Sequence, residues 1–239
     1  MFPILELFKQ IPHPKDVNDY YHCYNSSNIL NVLYWWKFFE MTADIEGDIV
    51  ECGVGRGRSL ISILSLNRFI EASHEKTYLK KVFALDSFEG FPEPTELDIS
   101  PRNPKKGEWS SSPNNQFEYS VETLHRVLTC ADLGGLRENK LELVKGFFDE
   151  TTHSLQVEKI SILHLDGDLY ESVLTPLENL WAKISIGGIV VIDDYIADKK
   201  YDHNKFPGAR KAIEKFLDTN NCFEFKVSIR GTPYLIRTR

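Results

Sequence analysis

Residues 160–195 read I-S-I-L-H-L-D-G-D-L-Y-E-S-V-L-T-P-L-E-N-L-W-A-K-I-S-I-G-G-I-V-V-I-D-D-Y. An apolar run, Ile160 to Leu165, ends in Asp166-Gly167-Asp168. A stretch with helical spacing follows, from about Tyr170 to Ile184. A second apolar run, Ile189 to Ile192, ends in Asp193-Asp194. Two apolar strands joined by one helix of this length form a right-handed crossover, so they run parallel and end on the same edge of one sheet. If they are neighbours, four carboxylates share one crevice. Such a group repels itself unless protons or a cation intervene. An all-carboxylate site suits Mg²⁺, Mn²⁺ or Ca²⁺ better than zinc.

The same alternation extends in both directions. Residues 47–53 (G-D-I-V-E-C-G) are a short strand entering a glycine-rich turn, and a helix is expected over 57–72. Lys81 to Phe88, carrying Asp86, is a second strand, and Leu141 to Phe148 a third, with a helix over 118–131 between them. After a loop over 195–206, Pro207 opens another helix, a favoured first-turn position for proline. Phe223 to Ile229 and Tyr234 to Arg237 alternate in polarity, and the short connection Arg230 to Pro233 makes them an antiparallel hairpin. Upstream, Asn25 or Ser26 caps a helix running to about Met41, in which Ile29, Leu30, Leu33, Trp36 and Phe39 recur at helical spacing. Its aromatic load, Tyr34, Trp35, Trp36, Phe38 and Phe39, is expected to pack on the sheet or at an interface. Residues 89–116 hold five prolines; a segment this long is a lid, a binding loop or an insertion. Strands alternating with helices predict an α/β sandwich with a mostly parallel sheet, to which the hairpin adds one antiparallel strand. The expected organisation is a single domain over 1–239 with an N-terminal helical arm over about 1–45.

Composition narrows the function class. The chain has 239 residues, 42% hydrophobic and 26% charged, with a formal net charge of −7, which is ordinary for a globular protein and argues against a nucleic-acid-binding surface. No apolar run reaches the roughly 18 residues of a membrane span. The N-terminus lacks the basic region and long apolar core of a signal peptide. The four cysteines, Cys23, Cys52, Cys130 and Cys222, are widely spaced and read as reduced packing residues of a cytoplasmic protein.

In V-E-C-G-V-G-R-G-R-S (50–59), Glu51 ends strand one and Gly53, Gly55 and Gly57 precede a helix. Small residues there let the backbone bend and a ligand approach closely. Asp86, ending strand two, could accept two ribose hydroxyls. The turn is G-x-G-x-G rather than G-x-G-x-x-G, and it lacks the G-K-[ST] of a phosphate-cradling loop. An empty strand–helix turn is the bland alternative, and the flanking Glu51 and Asp86 favour a ligand.

The arrangement resembles class I S-adenosylmethionine-dependent methyltransferases, and within them the macrocin-O-methyltransferase family of small-molecule and sugar O-methyltransferases. Six stretches carry the resemblance: residues 50–59, A-L-D-S-F-E-G-F-P (84–92), V-K-G-F-F-D-E-T (144–151), H-L-D-G-D-L-Y-E-S (164–172), G-G-I-V-V-I-D-D-Y (187–195) and P-G-A-R-K-A-I (207–213). The resemblance implies a seven-stranded sheet, S-adenosylmethionine along the edge of strands one and two, and Mg²⁺ or Mn²⁺ beside it. It puts the metal ligands at Asp166, Asp193 and Asp194, the general base at Asp168 and the ribose-binding acid at Asp86. The cofactor contacts it implies are Glu51, Gly53, Gly55, Arg58, Ser59, Asp86, Ser87 and Asp166. Many relatives carry tryptophan where Gly55 stands. The acceptor implied is a hydroxyl of a sugar or other secondary metabolite, and the family pattern allows a homo-oligomer.

Two other functions compete. An NAD-type oxidoreductase could use the same glycine turn, but the dinucleotide fingerprint and a clear hydride-site histidine are missing. A non-catalytic S-adenosylmethionine-binding protein would be free to lose Asp168 or Asp193. His164, inside a buried strand, reads as a hydrogen-bonded core residue, and His203, on the loop after strand five, as a candidate acceptor contact. Asp149 and Glu150 are either loop caps or ligand contacts, and Lys105-Lys106 reads as a solvated pair.

Overall fold

The structure, a computed structural model, describes residues 25–74, 80–112, 115, 117–134, 140–197 and 205–239. His203, Cys23 and nearly all of the expected N-terminal arm ahead of Ser26 lie outside these residues. Helix α1 is Ser26–Met41, followed by β1 (Asp48–Cys52), α2 (Arg58–His74), β2 (Val82–Asp86), α3 (Val121–Cys130), β3 (Leu141–Lys145), the single turn α4 (Phe148–Thr151), β4 (Ile160–Leu165), α5 (Tyr170–Leu180), β5 (Ile184–Ile192), α6 (Pro207–Thr219), β6 (Phe223–Val227) and β7 (Pro233–Arg237). One seven-stranded sheet results, in the order β3-β2-β1-β4-β5-β7-β6. Strands β1 to β5 pair in parallel, and β7 runs antiparallel to both β5 and β6. The hairpin therefore supplies one reversed strand, and the α/β sandwich read from the sequence is the fold observed.

Side-chain alternation builds the two layers. Ile49, Val82, Ala84, Ile162, Ile189 and Val191 face a core shared with α1, α2 and α3. Their neighbours Val50, Phe83, Leu85, Leu163, Val190 and Ile192 face a second core built with α5 and α6. Ile160 breaks the parity by joining the second core, because the register shifts between Ile160 and Ile162 on both neighbouring strands. An extra residue in a strand swaps faces in this way.

Several boundaries differ from the sequence reading. Strand five begins at Ile184 rather than Ile189. Gly187-Gly188 looks like a turn in sequence, yet Gly187 sits inside the strand at φ 82°, a conformation that glycine adopts without steric cost. Strands two and three stop at Asp86 and Lys145, since Phe88 takes φ 55° and Phe148 opens a helical turn. Helix α1 has its expected bounds, and the Asn25 side chain accepts the Asn28 N–H at 2.9 Å. Its buried face, however, is Asn31, Tyr34, Trp35, Phe38 and Phe39; Ile29, Leu30 and Leu33 are exposed. The wide aromatic side chains offer more area to bury than the aliphatic stripe and win the sheet-facing side.

The described part of the 89–116 segment is tied down. Phe91 and Glu108 share a backbone bond of 2.8 Å, and Gly107 and Phe91 one of 2.9 Å. A 3₁₀ turn, Glu96–Asp98, begins with a capping box at Thr95. Asp98 is buried and accepts the Tyr170 N–H at 2.7 Å, so this segment caps the N-terminus of α5.

Candidate functional site

Strands β1 and β4 are central neighbours whose chains leave the sheet in opposite directions, and a crevice opens at their C-terminal ends, the usual ligand edge of such sheets. A cavity of about 840 Å³ lies there, walled by the glycine turn, Asp86 and Ser87, Phe91 and Trp109 of the 89–116 segment, Phe147 to Asp149, Asp166 to Asp168, Asp193 and Arg230. The volume is that of a site for a drug-sized ligand or larger.

The glycine turn is shaped by what surrounds it. Gly53 has φ 99°, and a Cβ on it would stand 1.9 Å from the Asp166 carbonyl oxygen. Only glycine lets β1 continue this close to β4. Asp86 holds the next two residues: its Oδ2 accepts the N–H groups of Val54 (2.9 Å) and Gly55 (2.8 Å), and its Oδ1 accepts that of Phe88 (2.7 Å). A carboxylate offers roughly four acceptor positions. Three are spent here on backbone, so Asp86 is first a clamp on the turn. Beyond Gly55 the space is open.

Four of the expected cofactor contacts, Gly55, Arg58, Ser59 and Ser87, line the cavity with Gly53, Asp86 and Asp166. Arg58 also reaches back to α1, donating to the Ser27 carbonyl at 2.7 Å and to Asn28 Oδ1 at 3.3 Å. Glu51 is the exception. Its carboxylate is fully buried away from the cavity wall and lies 3.2 Å from His164 Nδ1. Burial raises the Glu51 carboxyl above its ordinary value, against the opposing pull of His164. The His164 ring packs edge-on to Trp35, with centroids 4.8 Å apart, which makes it the core histidine expected. Strand parity explains Glu51: it stands between Val50 and Cys52, which face the α5–α6 core, so its side chain points into the opposite layer.

The four aspartates do meet. β4 and β5 are parallel neighbours in register through Leu165 and Ile192. Asp166, Asp193 and Asp194 each bring one carboxylate oxygen within 4.8 Å of the others. Asp194 accepts the Asp168 N–H at 3.0 Å. Asp168 takes φ 61°, a left-handed conformation rarely adopted by residues other than glycine, asparagine and aspartate. Burial pushes Asp194 up to about 6, with Asp193 adding to the rise. Asp166 and Asp168 are pushed well above the ordinary carboxylate range, by burial first and by their acidic neighbours next.

Basic side chains balance part of this charge. Arg230, on the turn between β6 and β7, forms a forked pair with Asp193: Nη1 to Oδ1 at 2.6 Å and Nη2 to Oδ2 at 3.4 Å. Arg102 is held by Glu108 at 2.7 Å, beside the rings of Phe91 and Phe206, and its charge pulls the Asp168 carboxyl down. Neither arginine was apparent as a site residue in the sequence. Arg230 reads there as a hairpin turn and Arg102 as part of a polar stretch, and only the tertiary fold brings them to the aspartates. Asp149 and Glu171 also line the cavity.

The family model for macrocin-O-methyltransferase matches residues 40–225. A demethyldecarbamoylnovobiocin O-methyltransferase from Streptomyces niveus is 33% identical over 200 residues, 82% of this chain and 68% of that protein. An 8-demethyl-8-(2,3-dimethoxy-alpha-L-rhamnosyl)-tetracenomycin-C 4'-O-methyltransferase from Streptomyces olivaceus is 33% identical over 158 residues, 64% of this chain and 55% of that protein. The match thus spans between about half and two thirds of these two relatives' own length. Among solved structures, a calicheamicin methyltransferase superposes with a TM-score of 0.70 at 25% identity, covering 98% of this chain and 89% of that one. The O-methyltransferase NovP does so with 0.65 at 26% identity, covering 89% and 80%. The six motifs, the sheet order and the matched span agree: this chain belongs to the macrocin-O-methyltransferase family.

Proposed function

We propose that this protein transfers a methyl group from S-adenosylmethionine to a hydroxyl of a sugar or sugar-bearing natural product, with a divalent cation held by Asp166, Asp193 and Asp194. One observation carries the reading. One cavity is walled both by the Gly53–Gly55 turn and by Asp166 and Asp193 of the close-set aspartates, in a chain of this family. Relatives named for O-methylation of rhamnosyl and novobiocin-type compounds support the acceptor class.

The donor set fits a hard cation. Three carboxylates with oxygens within 4.8 Å of one another match Mg²⁺ or Mn²⁺, which prefer oxygen ligands. When bound, such a cation lowers the pKa of an acceptor hydroxyl and fixes its orientation. S-adenosylmethionine supplies an activated methyl group.

The protein's own residues do the rest. Gly55, with open space where a Cβ would stand, lets a ligand approach the backbone closely. Aromatic walls from Phe91, Trp109, Phe147 and Phe148 enclose the acceptor and exclude water, and alignment of this kind is worth up to about 7–11 kcal/mol of the barrier. Asp168 takes the acceptor proton at a carboxylate oxygen.

The test is Asp168→Asn. The variant is expected to bind S-adenosylmethionine with unchanged affinity by calorimetry, while turnover on a hydroxylated acceptor falls by about 10²- to 10⁴-fold. Unchanged turnover would remove Asp168 from the role of base.

A further inference from the structure

Arg230 is placed more firmly than a hairpin-turn arginine needs to be. Its turn is closed by the bonds Ser228 N–H to Thr232 O and Gly231 N–H to Ser228 O, each 2.9 Å. The Thr232 hydroxyl, buried, meets the Tyr34 hydroxyl of α1 at 3.1 Å. The guanidinium lies over the Tyr34 ring, 4.9 Å from its centre, and forks onto both oxygens of Asp193. Helix α1, the β6–β7 turn and β5 thus hold one cation against one carboxylate of the acidic cluster. Among the described residues, no other basic side chain forms an ion pair with Asp166, Asp168, Asp193 or Asp194.

We infer that Arg230 is a positioning residue that competes with a divalent cation for Asp193 and so sets the cation affinity of the site. The inference rests on the reading of Asp166, Asp193 and Asp194 as cation ligands. A carboxylate whose two oxygens both accept from one guanidinium has fewer lone pairs and less net charge to offer a second cation. A divalent ion at the cluster must also approach a fixed positive charge. Arg230 therefore weakens cation binding, and in exchange it neutralises one of four crowded carboxylates whenever no cation is bound. The opposite arrangement, an arginine that only orients a ligand for the ion, would make its removal weaken binding, so the sign of the effect separates the two.

The experiment is calorimetric titration of MnCl₂ into the chelator-stripped full chain, without cofactor or acceptor. Wild type, Arg230→Gln, Arg230→Lys and Asp193→Asn are compared, with thermal melting of each in chelator and at saturating Mn²⁺. Arg230→Gln is expected to bind Mn²⁺ roughly twofold to fivefold more tightly than wild type, the range of a partly exposed ion pair. Arg230→Lys, which keeps the charge and loses the fork, should fall between them and serves if the glutamine variant folds poorly. In chelator Arg230→Gln should melt below wild type, and saturating Mn²⁺ should close that gap. Equal or weaker Mn²⁺ binding in both arginine variants, with wild type binding normally, overturns the inference and leaves the cation site standing. Absence of Mn²⁺ binding in all four proteins, or unchanged binding in Asp193→Asn, overturns both.

Discussion

Four aspartates in one crevice set the pH behaviour of single residues here. The Asp194 carboxyl is pushed from an ordinary 3.8 up to about 6, chiefly by burial, and Asp166 and Asp168 are raised well above the same ordinary value. A raised carboxyl binds more protons in the folded chain than in the unfolded one, so its contribution to stability falls as pH rises. The window opens near the unfolded value of about 4 and, for Asp194, closes as pH passes about 6. In chelator, the melting temperature is therefore expected to drop between pH 5 and pH 7. Added Mg²⁺ or Mn²⁺ should flatten that drop by neutralising the ionised cluster. A melting curve series across this range, with and without the ion, checks it; a rise with pH in chelator would contradict the charge assignment. Much of this was legible from D-G-D and I-D-D alone, because strand pairing brings the two motifs together. The orientation of Glu51 was also available, from the parity of β1.

At the scale of elements, the loop between β2 and α3 is where sequence said least. Its prolines and polar residues give no periodicity, and its order comes from partners far along the chain. Asp98 accepts the first free N–H of α5, 72 positions away; Lys211 donates to the Leu97 carbonyl at 2.6 Å; Ser100 donates to the Lys205 carbonyl at 2.8 Å. A buried carboxylate at a helix N-terminus satisfies an orphan donor and meets the positive end of the helix dipole. Asp98→Ala is expected to cost about 0.5–2 kcal/mol of stability, the range for losing a helix cap, measured by denaturant unfolding. It should also weaken acceptor binding more than cofactor binding, since Phe91 and Trp109 of the same segment wall the cavity. A stability loss below about 0.3 kcal/mol would mean that the cap contributes little beyond an ordinary surface contact. Elsewhere the elements were readable where a strand is buried on both faces or a helix start is capped. Strand β4 and the bounds of α1 follow from apolar runs and a capping asparagine. The start of β5 was hidden because two glycines inside a strand look like a turn.

For the whole molecule, the sheet order puts β1 and β4 side by side, so the glycine turn and the acidic cluster end on one edge and open into one cavity. The two strands are distant in sequence, and the Asp166 N–H to Cys52 carbonyl bond of 2.9 Å joins their ends directly. This adjacency makes the chain readable as a methyltransferase of its family. Arg230, from the last hairpin, reaches Asp193 only because β7 pairs with β5, and it was invisible until the sheet was assembled. The aromatic and charged walls of that cavity come from segments without a periodic signal, so the sequence left the acceptor open.

The most direct measurement is calorimetric titration of S-adenosylmethionine, and separately of NAD, into the purified chain with Mg²⁺ and again with chelator. Binding of S-adenosylmethionine but not NAD is expected, with a separate Mg²⁺ signal that disappears in Asp166→Ala. No binding of S-adenosylmethionine under either condition would contradict the central claim; binding without any Mg²⁺ signal would keep the methyl transfer and remove the cation from it.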